Sequence, residues 1–188
     1  FSAPSGGGKQ TILNEVRRRS ARVASTVSVT TRAPRPGEED GVDYYFVERS
    51  VFEARRDQGE FLEWAEVHGN LYGTLRSEME RCLAAGCDVI LELDVQGMRS
   101  LKAIYPDVIT IFLAPPSMEE LERRLRARGT NDEADIALRL RNAETEMAAQ
   151  HAFDYVIIND TVDQAAGKMV QILDFHHESG LSLPDIEA

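Results

Sequence analysis

The sequence predicts an α/β fold: a mostly parallel sheet covered by helices on both faces. Three observations carry this. Apolar runs at "DVILEL" (88–93), "VITIFL" (108–113) and "YVIIN" (155–159) read as buried strands. Helical segments separate them, the alternation that builds a parallel sheet. A glycine-rich turn, "SGGGK" (5–9), heads the first helical segment.

The helices have physical start and stop signals. Ser117 followed by Glu120 forms the pattern of a capping box ahead of "MEELERRLRAR", and Gly129 stops that helix by accepting a left-handed backbone. Ser50, Glu53 and Gly59 bracket another helix in the same way. Residues 26–73 differ: "TVSVTT", "DYYFV" and "FLEWAEV" read as short strands around "RAPRPGEEDG", whose prolines and glycines demand turns. An antiparallel patch inserted in the α/β core is expected there. In "FLEWAEV", Phe61 and Trp64 are expected to pack. The helix "VDQAAGKMVQILDFHH", with Met169 and Phe175, is expected to lie on the core, and 179–188 to be a loose tail.

Composition sets the class of partner. A chain of 188 residues with 43% hydrophobic content is one globular unit by size. Its net charge of -11 argues against a nucleic-acid binder, which must neutralise many phosphates with Lys and Arg. Cys82 and Cys87 are too few for a disulfide framework and, five apart, fall on different sides of a helix; ordinary reduced thiols are expected. No run is long and apolar enough for a membrane span and no signal peptide is visible, so the cytoplasm is the default location. None of the four histidines pairs with Cys, Asp or Glu at a metal-site spacing.

The stretch "APSGGGKQT" (3–11) almost matches the phosphate-loop pattern G-x-x-x-x-G-K-[ST], but Ala3 and Gln10 stand at its two ends. Gly6, Gly7 and Gly8 let backbone N–H groups approach an anion, the helix beginning near Lys9 adds its positive end, and Lys9 adds a full charge. The plainer reading is a flexible glycine turn. Such a loop needs a strand feeding it, yet only Phe1 precedes Ser2. Either the native amino terminus is missing from this sequence, which is the expectation, or the first strand is absent. A second constellation, "SVTTRAPRPGEEDGVDYYF" (28–46), brings Arg32, Arg35 and Tyr44 together as a phosphate clamp, or leaves two solvent-exposed loop arginines. Glu92 and Asp94 end a buried strand, the usual place for ligands in such a sheet, although Asp94 also reads as a cap for "VQGMRSL".

Taken together, "SAPSGGGK", "SVTTRAPRPGE", "DGVDYYFV", "GEFLEWAEVHGNLYGT", "LELDVQG", "FLAPPS", "RLRARGT" and "YVIIND" resemble the guanylate kinase family from Ser2 to about Gln171. The resemblance implies a three-layer P-loop nucleoside monophosphate kinase fold with an inserted mixed β/α GMP-binding subdomain and a helical lid. The core would be 1–31, 76–124 and 146–178, the GMP-binding subdomain about 32–75 and the lid about 125–145. Hinges would sit near 31–34 and 73–76. It implies magnesium-dependent phosphoryl transfer from ATP to GMP.

By position, Pro4, Ser5, Gly6, Gly7, Gly8, Lys9, Gln10, Thr11 and Asn159 would bind ATP, and Gln10 would meet magnesium through water. Asn159 also reads as a plain strand-end turn. Arg32, Arg35, Glu38, Tyr44 and Tyr72 would serve the GMP phosphate side, Ser28, Glu63 and Thr74 would read guanine, and Asp94 would position GMP and join the magnesium network. A carboxylate at Glu63 would accept from guanine N1–H and the 2-amino group, where adenine offers no matching pair. Its plain reading is the polar face of an alternating strand. Lys9, Arg35, Arg128 and Arg139 would be catalytic, with Arg124 less clearly so, while Arg123 and Arg126 read as surface ion-pair partners of neighbouring glutamates.

Two rivals remain open: a catalytically impaired GMP- or protein-binding module, and a kinase for a ribose phosphate. The first is opposed by the presence of Lys9, Arg32, Arg35, Glu63 and Asp94, the second by a guanine-reading set. No nucleic acid or membrane partner is expected, and monomer and homodimer are both open.

Overall fold

The computed structural model describes residues 1–67, 69–127 and 133–178. In chain order its elements are α1 (Lys9–Arg19), β1 (Val23–Ser25), β2 (Val29–Thr30), β3 (Tyr45–Phe46), α2 (Arg49–Asp57), β4 (Phe61–Val67), β5 (Asn70–Leu75), α3 (Arg76–Ala84), β6 (Asp88–Ile90), α4 (Val95–Ile104), β7 (Ile111–Ala114), α5 (Met118–Ala127), α6 (Glu133–Ala148), β8 (Tyr155–Ile158) and α7 (Val162–Glu178). They fall into two units, the first of residues 1–21, 93–98 and 107–188, the second of 22–92 and 99–106.

In the first unit β7 and β8 pair in parallel, with Ile111 opposite Tyr155 and Ala114 opposite Ile158. The two residues before the glycine turn are zipped into the same layer. Ser2 N–H donates to the Ile111 carbonyl, Leu113 N–H to the Ser2 carbonyl, and Leu93 N–H to the Phe1 carbonyl. Phe1 and Ser2 therefore stand where a strand feeding the loop belongs. Helix α1 buries Ile12, Leu13 and Val16 and packs against α7, whose Ala165, Ala166 and Met169 are fully buried. Each larger apolar side chain buried here contributes roughly 1.5–3 kcal/mol. Leu121 and Leu125 of α5 meet Ala143 of α6, with Met118 and Leu140 against them.

In the second unit β1 and β6 pair in parallel, and a four-stranded sheet runs in the order β3, β2, β5, β4. Its β2–β3 pair is parallel and its other two pairs are antiparallel, so the patch expected to be antiparallel is mixed. The long link from β2 through "RAPRPGEEDG" brings β3 back in the same direction, which a tight hairpin could not do. Val29, Phe52, Phe61, Leu71 and Leu75 form its core.

Several local expectations are revised. Helix α2 starts at Arg49 with Glu48 at its N-cap, and no side chain caps it, so Ser50 lies inside the first turn. Ser117 does cap α5, its hydroxyl accepting the Glu120 N–H at 3.2 Å, but the Glu120 carboxylate turns to Arg123 and Arg124 instead of closing the box. Gly129 lies outside the described residues. Trp64 is exposed, with Arg56 over its ring, and Phe175 is exposed near the end of α7. Cys82 is buried on α3, whereas Cys87 lies beyond that helix; both are free thiols.

Candidate active site

The glycine turn is built from backbone up. Gly7 N–H donates to the Pro4 carbonyl at 2.8 Å, which closes the turn. Gly8 forms the N-cap of α1 with φ 90, in the left-handed region where a side chain is strained. A Cβ on Gly8 would also lie 2.6 Å from the Asn159 amide nitrogen, and one on Gly6 would lie 2.8 Å from Leu125 Cδ2. Two of the three glycines are therefore required both by conformation and by close approach. Lys9 opens the helix, so its first backbone donors and its ammonium share one end of α1.

Two side chains from distant sequence, Asn159 and Arg139, hold this loop, and a third, Arg124, holds Asn159. Asn159, 4% exposed at the end of β8, donates its amide to the Gly7 carbonyl at 2.7 Å. Arg124 donates to the Asn159 carbonyl at 3.0 Å and to Glu120 at 2.7 Å. Arg139 of α6 donates to the Ser5 hydroxyl at 2.9 Å. The strand-end position of Asn159 is thus no idle turn: its side chain fixes the loop's shape. Arg123 and Arg126 form the expected surface ion pairs, with Glu120 and with Glu122 and Glu133 respectively. Arg128 lies outside the described residues.

Sequence reasoning missed Glu146. It sits two helical turns beyond Arg139 on α6, the spacing that puts two side chains on one face. One carboxylate oxygen accepts the Ser5 backbone N–H, while the other, Oε2, is wholly buried with no partner among the described residues. Burial raises the Glu146 carboxyl above its ordinary value and Asp94 adds to the rise, against the Ser5 N–H and the Lys9 charge. Asp94 itself accepts the Gly97 N–H at 2.7 Å and so caps α4, as its position suggests. Gln10 and Thr11 are exposed on α1, and the Gln10 amide donates to Asn14 at 3.1 Å.

In the second unit Arg32, Glu38, Tyr44 and Tyr72 come together. Arg32 donates to Glu38 at 2.9 Å, and its guanidinium lies 5.4 Å from the Tyr44 ring centre and 5.7 Å from that of Phe46. Tyr44 and Tyr72 meet edge to face with centroids 6.1 Å apart. The Arg32 hydrogen bond holds the Glu38 carboxyl below its usual range, and its other oxygen accepts the Arg35 backbone N–H at 2.7 Å. Burial, then the nearby Glu92 charge and Tyr72, raise the Tyr44 phenol above its ordinary value. Arg35 is exposed on the turn, and Ser28 is half-buried, its carbonyl accepting the Tyr45 N–H at 2.9 Å.

Glu63 and Thr74 face one another across β4 and β5. A bulge between Phe61 and Glu63 breaks the alternation, so that Phe61, Leu62 and Glu63 are all buried in succession and Trp64 is turned out. Glu63 is therefore not on the solvent face of an alternating strand. Thr74 is 1% exposed, and its hydroxyl has no hydrogen-bond partner among the described residues.

Both the sequence and the fold match known proteins. The family model for guanylate kinase matches residues 1–176. The chain belongs to the guanylate kinase family. It is 46% identical to the guanylate kinase of Mycolicibacterium paratuberculosis over 187 residues, 96% of this chain and 84% of that protein. To the guanylate kinase of Thermotoga maritima it is 47% identical over 170 residues, 90% of this chain and 82% of that protein. The crystal structure of guanylate kinase from Anaplasma phagocytophilum superposes with a TM-score of 0.78 at 34% identity, covering 98% of this chain and 88% of that one. The fold is that of the family's P-loop kinases, and the parallel strand pairs and loop-to-helix turn described above are its parts.

Proposed function

We propose that the chain transfers the γ-phosphoryl group of ATP to the phosphate of GMP, giving ADP and GDP. One observation supports the acceptor most directly. Glu63 and Thr74 form a buried polar pair whose hydroxyl lacks a partner among the described residues, a costly arrangement unless a ligand completes it. Guanine does so: its N1–H and 2-amino group donate to the carboxylate, and the threonine hydroxyl meets the same base. Ser28 joins them, and Arg32, Arg35, Tyr44 and Tyr72, with Glu38 orienting Arg32, receive the phosphate of GMP.

Residues 3–11 receive the triphosphate of ATP. Backbone donors and Lys9 bear the charge of the outer phosphates, and no protein nucleophile is needed, because an oxygen of the GMP phosphate attacks the γ-phosphorus in line. Arg139 and Arg128 meet the charge that spreads over the migrating group, with residues 125–145 acting as the lid and about 32–75 as the acceptor-binding segment. Asp94 helps to position GMP.

Magnesium fits as the companion of ATP. Asp94 and Glu146 supply hard oxygens near one another, with the Lys9 charge acting on Glu146, while among the described residues no group of three His, Cys, Asp or Glu could hold an ion by itself. Asp94 and Gln10 would hold the ion through its waters, the rest of its shell coming from phosphate oxygens. When bound, it neutralises charge on the β- and γ-phosphates. We also propose a cytoplasmic location, where ATP and GMP are found; no helix among the described residues is long and apolar enough to cross a membrane.

A coupled assay of ADP release with GMP, AMP and dGMP as acceptors tests the function. GMP is expected to be used far better than AMP. Equal rates with the two would end the reading.

A further inference from the structure

Four hydrogen bonds from the described residues converge on Glu78, an acid with no part in the chemistry above. It lies in the first turn of α3, 9% exposed, four residues after Thr74. Its Oε2 accepts the Val27 backbone N–H at 3.4 Å and Arg81 Nη2 at 3.1 Å. Its Oε1 accepts the Tyr45 hydroxyl and Arg81 Nε, each at 3.4 Å. The Arg81 hydrogen bond above all, with those from Val27 and Tyr45, holds the Glu78 carboxyl below its usual range against the effect of burial.

Two of these donors adjoin residues of the acceptor site. Val27 precedes Ser28, and Tyr45 follows Tyr44. Tyr44 and Phe46 turn towards Arg32, whose guanidinium lies 5.4 Å and 5.7 Å from their ring centres. Tyr45, between them in the chain, packs instead against the core of the sheet, as strand alternation requires. The backbone holds this corner thinly. Strands β2 and β3 are two residues long each, and the Tyr45 N–H to the Ser28 carbonyl at 2.9 Å is one of the bonds that join them. So short a ladder frays easily unless something else fastens it.

Glu78 supplies that fastening. One carboxylate ties the segment before β2 and the Tyr45 side chain of β3 to the helix that continues β5, the strand of Tyr72 and Thr74. Each bond is long, so its separate contribution is small; their common anchor is what sets the three segments relative to one another. We propose that Glu78 is a positioning residue for GMP, holding Ser28 for the guanine and Tyr44 for the phosphate through its bonds to their neighbours Val27 and Tyr45. This rests on the acceptor reading above.

Calorimetry on the whole chain, with GMP alone and with magnesium–ATP alone, tests it. Glu78→Ala is expected to bind GMP about fivefold more weakly, equivalent to about 1 kcal/mol, and magnesium–ATP within about twofold of the parent. Glu78→Gln should recover most of the loss: its carbonyl can accept the Val27 N–H while its amide donates to the phenol, which accepts as well as donates. Tyr45→Phe, which removes one bond and keeps the ring in its packing, should weaken GMP binding about twofold in the parent and add nothing in Glu78→Ala. Arg81→Ala, which leaves the Val27 and Tyr45 bonds in place, should bind GMP as the parent does. An acid that only stabilised the fold would lower the melting temperature and leave both affinities unchanged, or reduce both alike; either result in a folded Glu78→Ala would overturn the proposal. Should Glu78→Ala fail to fold, Tyr45→Phe carries the same two-ligand comparison, and unaltered GMP binding there would be decisive against it. A parent protein that bound no GMP would end the acceptor reading and this proposal together, whereas GMP binding by the parent and equally by Glu78→Ala would end this proposal alone.

Discussion

Arg139 Nη1 donates to the Ser5 hydroxyl at 2.9 Å, joining an arginine of α6 to a loop residue 134 positions earlier in the chain. The guanidinium is thus held at the phosphate loop before any nucleotide arrives, with little ordering left to do when charge develops there. Arg139→Ala is expected to lower kcat about 100-fold while KM for GMP changes by less than about threefold. Arg139→Lys should recover little, since an ammonium cannot span two oxygens as a planar fork does. Steady-state kinetics would contradict the assignment if KM for GMP rose while kcat stayed level.

Thr74 and Glu63 separate stability from recognition. Thr74→Val removes a buried hydroxyl that has no partner among the described residues, so unfolding in urea should show stability unchanged or raised by about 1 kcal/mol. The same variant should use GMP less well. Glu63→Gln, which replaces one acceptor by a donor facing the guanine edge, should reduce kcat/KM for GMP by about 2–3 kcal/mol, or some 30- to 150-fold. A Glu63→Gln protein that used GMP normally would remove guanine from this site.

Asn159 is a structural hinge-pin of the loop by its bond to Gly7. Asn159→Asp places a carboxylate against a carbonyl oxygen and leaves both unsatisfied. A loss of about 1–3 kcal/mol in stability is expected, with weaker ATP binding and unaltered GMP binding. Calorimetry showing weakened GMP and normal ATP binding would exclude this role.

Gln10 is the departure from the phosphate-loop pattern on its metal-binding side. Gln10→Thr offers magnesium a short hydroxyl in place of a long amide arm, and should lower the magnesium concentration that gives half-maximal rate, with a gain in turnover of at most about tenfold. Superimposable metal titrations for the variant and the parent would refute it.

Acid should erode the α1 end of the first unit. Arg18 and Arg19 hydrogen bonds hold the Glu15 carboxyl down at about 2, from an ordinary 4.5. A depressed folded-state value stabilises the fold above the unfolded value, and that contribution is lost as pH falls from about 4.5 towards 2. Glu15→Gln should therefore flatten the acid limb of melting temperature against pH and change it little at pH 7, the pair being at the surface. An acid limb of the same slope in both proteins would assign the loss to other carboxylates.

Local chemistry was legible in the sequence. The turn at Gly8, the Asp94 cap on α4, the Ser117 cap on α5 and the span of β4 all follow from residues close together in the chain. What escaped depends on partners far away. Strand β1 has only three residues and β5 is interrupted by Gly73, so neither shows a clear alternation before its neighbours are known. The bulge that buries Glu63 and exposes Trp64 belongs to the register of two strands, not to one. Glu146 looked like one acid among many on α6, and only Ser5, far upstream, distinguishes it. The clustering of Arg32, Tyr44 and Tyr72 was expected from the resemblance; that Glu38 also fastens the Arg35 backbone was not.

The loop that names this architecture is synthesised well before the residues that complete it. Residues 2–9 obtain their neighbours from Ile111 and Leu113 against Ser2, from Arg139 and Glu146 at Ser5, and from Asn159 at Gly7. During translation residues 3–9 therefore emerge with the glycines and Lys9 but with none of the contacts that shape them, until some 150 further residues have left the ribosome, about eight to thirty seconds at ordinary elongation rates. Nucleotide cannot serve as a template for the early chain; it can stabilise only a nearly finished one. A nascent chain arrested before Asn159 should bind no ATP, and the protein's affinity for its own substrate becomes a late check that synthesis has run to the end of β8.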